Sequence, residues 1–152
     1  MNLAALVAKE VGVDPQNVML LRHSNSRVAA LLREGASIEE FTLVQPIDSR
    51  YDFLASGRIP IRIVIAIVND HVHAIYRIDG VEDENGTTQS LTSPAYARFD
   101  IKQGYLPRPA KRYCAMRIEH SRSLGQAVRG WTSPRTPVAR YGEKLHKGVE
   151  VN

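Results

Sequence analysis

Apolar residues at Leu3, Leu6, Val7 and Val11 keep the spacing of one helix face, and Gly12 supplies a stop, so the chain is predicted to open with a helix over 2–11. Asp14-Pro15 then turns it into the unbroken run Val18-Met19-Leu20-Leu21, which suits a short helix and a strand equally. A second helix is better marked. Ser24 or Asn25 caps it, Val28, Leu31 and Leu32 form its stripe, and Gly35 follows Glu34 as its stop. Ser37-Ile38-Glu39-Glu40 reads as a capping box that opens a further helical turn, and Thr42-Leu43-Val44 as a short strand closed by Pro46.

The strongest pattern lies at 61–68, where four isoleucines and two valines with only Arg62 interposed describe a strand covered on both faces. Asn69-Asp70 follows at a hairpin-turn position. The return run alternates: Val72, Ala74, Tyr76 and Ile78 are predicted on one side, His73, Ile75 and Arg77 on the other. A hairpin over 61–81 is therefore the firmest expectation. Beyond it, Glu82-Asp83-Glu84 and Asn85-Gly86 make a polar loop, and Ser93-Pro94 starts a short helix that ends at Gly104. Pro107-Arg108-Pro109 is extended and leads into a strand over 111–118. Prolines and glycines then divide the last third into short strands joined by ordered turns.

Helices followed by strands, two of them in a tight hairpin, predict an α+β fold: N-terminal helices, then a mostly antiparallel, strongly bent sheet or small β-barrel. A parallel sheet is disfavoured, because only two residues join the central strands. At 152 residues the chain is predicted to form one domain over 1–152, with a core that needs no disulfide or metal. Its longest apolar stretch, 59–68, is interrupted by Pro60 and Arg62 and falls short of the roughly 20 residues of a membrane span. With no leader pattern at Met1-Asn2-Leu3 and Cys114 as the single cysteine, a cytoplasmic protein is expected. Cys114 itself reads as a packed thiol.

Charge divides the chain unevenly. Residues 1–97 carry 8 Lys/Arg against 12 Asp/Glu, or −4, whereas residues 98–152 carry 12 against 4, or +8. A basic half of this kind points to a partner that carries negative charge. Within it, cations alternate with rings at Tyr105 and Arg108, Lys111-Arg112-Tyr113, and Arg129-Gly130-Trp131. Nucleic-acid sites need that combination, because cations displace counterions from phosphates while flat rings stack on unpaired bases. The expectation is a nucleic-acid-binding module for DNA or RNA, suited to modified or unpaired bases. Arg108, Lys111, Arg112, Arg129 and Arg135 would hold phosphates, and Trp131, Tyr105 and Tyr113 would contact bases.

Other chemistry has less support. No phosphate-loop motif occurs, and no cofactor is expected. His71 and His73 lie two apart beside Asp70, but His23, His120 and His146 are distant, so no metal site is expected. The rival reading is a phosphodiester-cleaving enzyme built on His73, Arg77 and Glu82, in which the arginine would stabilise developing charge and the histidine move a proton. Its difficulty is that a regular strand sends His73 and Tyr76 to opposite faces. Arg22-His23-Ser24-Asn25-Ser26-Arg27 reads either as a capped turn or as a phosphate-binding corner at a helix start. A third reading is a protein-interaction module in which the oppositely charged halves meet in a homodimer.

Overall fold

The computed structural model describes residues 1–48, 55–56, 59–83, 85–90, 110–133, 137–139 and 142–151. The predicted helix at 93–104 and the extended segment 107–109 lie outside them. Asn2 caps the first helix, α1 (Leu3–Val11), its side chain accepting from the amide of Ala5, and Gly12 closes it in the left-handed region at φ 77°. A 3₁₀ turn, Pro15–Asn17, leads into β1 (Val18–His23). Helices α2 (Asn25–Arg33) and α3 (Ile38–Asp48) follow. The short strands β2 (Ala55–Ser56) and β3 (Ile59–Pro60) pair with each other. Next come β4 (Ile63–Val68), β5 (His71–Asp83), β6 (Thr88–Ser90) and β7 (Ala110–Arg117). The chain ends with β8 (Val128–Arg129), β9 (Val138–Ala139), α4 (Lys144–Gly148) and β10 (Glu150–Val151).

The hairpin β4–β5 stands where the pattern put it. Asn69 and Asp70 both take positive φ, 52° and 56°, the two left-handed residues that a tight turn between twisted strands requires. Ile63 lies opposite Arg77 and Ile65 opposite Ile75, with an irregularity between Ala66 and Ile67. Ala66 opposes Ala74 while Ile67 opposes Val72, so His73 is an extra residue in β5 and a β-bulge forms there. The bulge reverses the alternation. Val72 joins Ile75 in one core, and Ala74, Tyr76 and Ile78 lie in the other, which corrects the predicted grouping of Val72 with Ala74.

Two further expectations are corrected. Val18–Leu21, open between helix and strand, is a strand, and against the expectation of no parallel pairing β1 runs parallel to β4 from Val18 opposite Ile63 to His23 opposite Val68. A continuous apolar run buried on both faces belongs at a sheet centre, and the connection through α2 and α3 is long enough for a parallel partner. Thr42-Leu43-Val44 is helical, because the capping turn at Ser37 propagates. Thr42 Oγ1 donates to the Ile38 carbonyl one turn back, at 2.8 Å. β5 also pairs with β6 and β7, and β1 with β9, giving a six-stranded mixed sheet. The described strands do not close on themselves, so the barrel alternative is not what forms.

The sheet separates two cores. On one face α1 sets Leu3, Ala4, Val7 and Ala8 against Val18, Leu20, Ile63, Ile65, Ile67 and Ile75. β8, β10 and α4 lie on that side, where His146 Nε2 donates to the Val18 carbonyl at 2.9 Å and Val149 and Val151 complete the core. On the other face Leu43 of α3 meets Met19, Leu21, Val64, Tyr76 and Tyr113. The two ends of the chain meet: Leu3 N–H donates to Val149 O and Val151 N–H to Met1 O. No helix among the described residues is long and apolar enough to cross a membrane.

Candidate functional site

Parallel pairing brings the carboxyl ends of β1 and β4, His23 and Val68, side by side. Ligands collect at such ends in open α/β sheets, because the next helix starts there and presents its free amides. Here that helix is α2, capped by Ser24, whose Oγ accepts from Arg27 N–H at 3.2 Å. The sequence Arg22–Arg27 is thus a strand end and a capped helix start, the first of its two readings.

His23, 2% exposed, is the most constrained polar group at this corner. Its Nε2 lies 2.7 Å from Thr42 Oγ1. Thr42 has one proton, already given to the Ile38 carbonyl, so Nε2 carries its own proton and donates it to the hydroxyl oxygen. Nδ1 is then a bare lone pair, and among the described residues nothing donates to it. The Phe41 ring packs 5.3 Å away at 52°, and the Arg27 guanidinium sits 5.2 Å above the same ring. Burial lowers the His23 pKa from 6.5 to about 4, and the charges of His73 and Arg27 push in the same direction. The imidazole is neutral at pH 7.

The bulge matters here. The charge of Arg117 bears on the exposed His73, lowering its pKa after the larger effect of burial, and His73 in turn bears on His23. Arg117 lies opposite Tyr76 in the β5–β7 ladder, and both reach Glu39 of α3: Tyr76 Oη donates to its carboxylate at 3.4 Å and the Arg117 guanidinium lies 3.9 Å away. Burial, followed by the Glu39 charge, raises the Tyr76 phenol to about 12. His73 and Tyr76 therefore border the same α2–α3 face, which a regular strand would have prevented. The rest of the phosphodiesterase set does not join them. The Arg77 guanidinium donates to the Val11 carbonyl of α1, on the opposite face of the sheet, and Glu82 lies beside Arg112 at 3.8 Å.

The cations and rings singled out for nucleic acid are dispersed. Tyr113 is fully buried in the α3-side core, so its ring is not a stacking surface. Arg112 is held by Glu40 at 2.9 Å as well as by Glu82. Arg129 pairs with Glu150 at 3.0 Å, on the α1 side. Trp131 is half-buried and packs against the α1-side core. Lys111 falls in β7, and Tyr105, Arg108 and Arg135 lie outside the described residues. Among the described residues no three His, Cys, Asp or Glu side chains gather where a metal ion would sit. Phe41, Thr42 and Arg117 were not among the candidates. Arg27 had a signal in its polar corner, whereas Thr42 was hidden by being read as part of a strand.

The histidine makes a testable demand on stability. In the unfolded chain His23 titrates near 6.5, but in the fold only at about 4, so between these values the unfolded state binds the extra proton. Its contribution is complete above pH 6.5 and falls away by about 3 kcal/mol as the pH drops to 4. Denaturant unfolding of His23→Gln at pH 7 and at pH 4.5 should show a shallower acid loss than the wild type. Equal losses would mean that His23 is not held neutral. Comparison of the chain with protein-family models, with curated proteins and with solved structures finds no match.

Proposed function

We propose that the chain binds nucleic acid in the cytoplasm, using cationic side chains on the α2–α3 face together with the basic segment that begins at residue 98. The observation that carries this reading is the division of charge, 12 Lys/Arg against 4 Asp/Glu over 98–152, which favours a polyanionic partner. Arg27 supports it, because its guanidinium sits over the Phe41 ring in the first turn of α2, where helix amides also favour an anion. The carboxylates of α3 limit the contribution of β7, since Glu39 and Glu40 stand over Arg117 and Arg112. The phosphodiesterase reading is not carried forward, because Arg77 lies across the sheet from His73.

Salt tests the proposal directly. Each phosphate contact contributes a log–log slope of about −0.9 on duplex or about −0.7 on single strands, so roughly four to six contacts give a slope of about −3 to −5. Arg27→Ala should weaken binding and make that slope shallower by about one unit. Affinity that stays flat between low and physiological salt sinks the reading.

A further inference from the structure

The corner between β1 and α2 is more selective than a cationic patch needs to be. A phosphodiester offers only acceptors, and α2 has donors for it. The amides of Asn25 and Ser26 come first in the helix and have no intrahelical acceptor, while the Arg27 and Val28 amides already bond Ser24. Arg27 adds a guanidinium in the same turn. His23 Nδ1 is the opposite kind of group, an acceptor with no proton, 98% of its residue withdrawn from solvent. A buried acceptor left unpaired costs stability unless something donates to it. A ligand that satisfies both halves must present a negative charge and, within one residue's reach, a hydrogen-bond donor.

We infer that this corner is a ribonucleotide site, in which the first turn of α2 and Arg27 hold a backbone phosphate and His23 Nδ1 accepts from the adjacent ribose 2′-hydroxyl. The inference rests on the nucleic-acid reading and deepens it from any nucleic acid to RNA. DNA supplies the phosphate but no sugar donor, since the 2′-hydroxyl is the group by which a protein tells the two apart at one site. Arg27 and His73, whose charges act on the imidazole, are both exposed. Thr42 gives the site its direction: its hydroxyl oxygen accepts from Nε2–H and fixes the tautomer, so that Nδ1 has no proton of its own to offer. Protonation of His23 would turn the acceptor into a donor, and a discrimination built on it should be lost in acid.

The test uses one single-stranded sequence prepared as RNA, as DNA and as 2′-O-methyl RNA, titrated by fluorescence anisotropy at fixed salt. The wild-type chain should bind RNA about 5- to 10-fold more tightly than either of the others, the worth of one net hydrogen bond to a buried acceptor. The methylated strand keeps the sugar pucker of RNA and replaces the hydroxyl hydrogen with a methyl group, so it separates recognition at the 2′-hydroxyl from helix shape. His23→Phe keeps a flat ring against Phe41 and removes the acceptor. In that variant, checked for cooperative melting, RNA and 2′-O-methyl RNA should bind alike. Arg27→Ala should weaken all three ligands together and leave the RNA preference standing. Equal wild-type affinity for RNA and its methylated form overturns the ribose inference while leaving nucleic-acid binding in place. No binding to any of the three removes both.

Discussion

Ile65→Asp should leave the chain unable to fold cooperatively. Ile65 is fully buried in β4, opposite Leu20 in β1 and Ile75 in β5, and its side chain faces α1. Truncating a buried isoleucine costs roughly 2–5 kcal/mol. A carboxyl group with no partner adds a further few kcal/mol whether it stays charged or takes up a proton. Together these approach the whole stability of an ordinary domain, about 5–15 kcal/mol. Circular dichroism melting should show no sigmoidal transition, while Ile65→Val should melt cooperatively at a cost of about 0.5–1.5 kcal/mol. A soluble aspartate variant with a sharp transition would mean that β4 is not the centre of the sheet.

Gly130→Ala should be the most damaging small change outside the main sheet. Gly130 follows β8 with φ at 88°, a conformation that side-chain-bearing residues rarely adopt, and a Cβ built there overlaps the carbonyl oxygen of Gly148. The left-handed backbone costs roughly 1–2 kcal/mol for alanine, and relieving the overlap adds about 1–3 kcal/mol because the obstacle is main chain. β8 would have to separate from β10, which it meets through Arg129 opposite Glu150 and Val128 opposite Val151. That contact also seats Val149, Val151 and Trp131 on the α1 core. A fall in Tm on the order of 5–15 °C follows. Gly125→Ala is the matched control: its φ is 79°, but nothing described lies within 4 Å of the added carbon, so only the backbone cost remains. If both variants melt at the same temperature, the β8–β10 contact carries no weight in the fold.

Local chemistry determined those parts of the protein that depend on neighbours in the chain. Helix α1 and its glycine stop, the Ser24 cap and the capping turn at Ser37 are local hydrogen-bond arrangements, and each was legible. So was the hairpin, since Asn69-Asp70 can adopt two left-handed residues and the flanking runs are too apolar for a surface. The imbalance of charge also belongs to the sequence alone. Thr42-Leu43-Val44 misled because β-branched residues favour strands on average, whereas here a helix already started by Ser37 carried them along.

Tertiary structure decided what depends on partners distant in sequence. Val18–Leu21 had no local preference, and only pairing with β4, some forty residues on, made it a central parallel strand. The bulge at His73 arises from the register of β4 against β5. One extra residue there turned Val72 to the α1 side and set His73 among Arg117 and His23, so the expected faces failed from that point. Cations that looked like one basic surface were divided by the sheet and met by carboxylates, Arg112 by Glu40 on one side and Arg129 by Glu150 on the other. The hydrogen bonding of His23 was beyond the reach of any pattern. Its neutral tautomer and bare Nδ1 depend on a threonine hydroxyl nineteen positions away, brought within 2.7 Å only when α3 packs on the sheet.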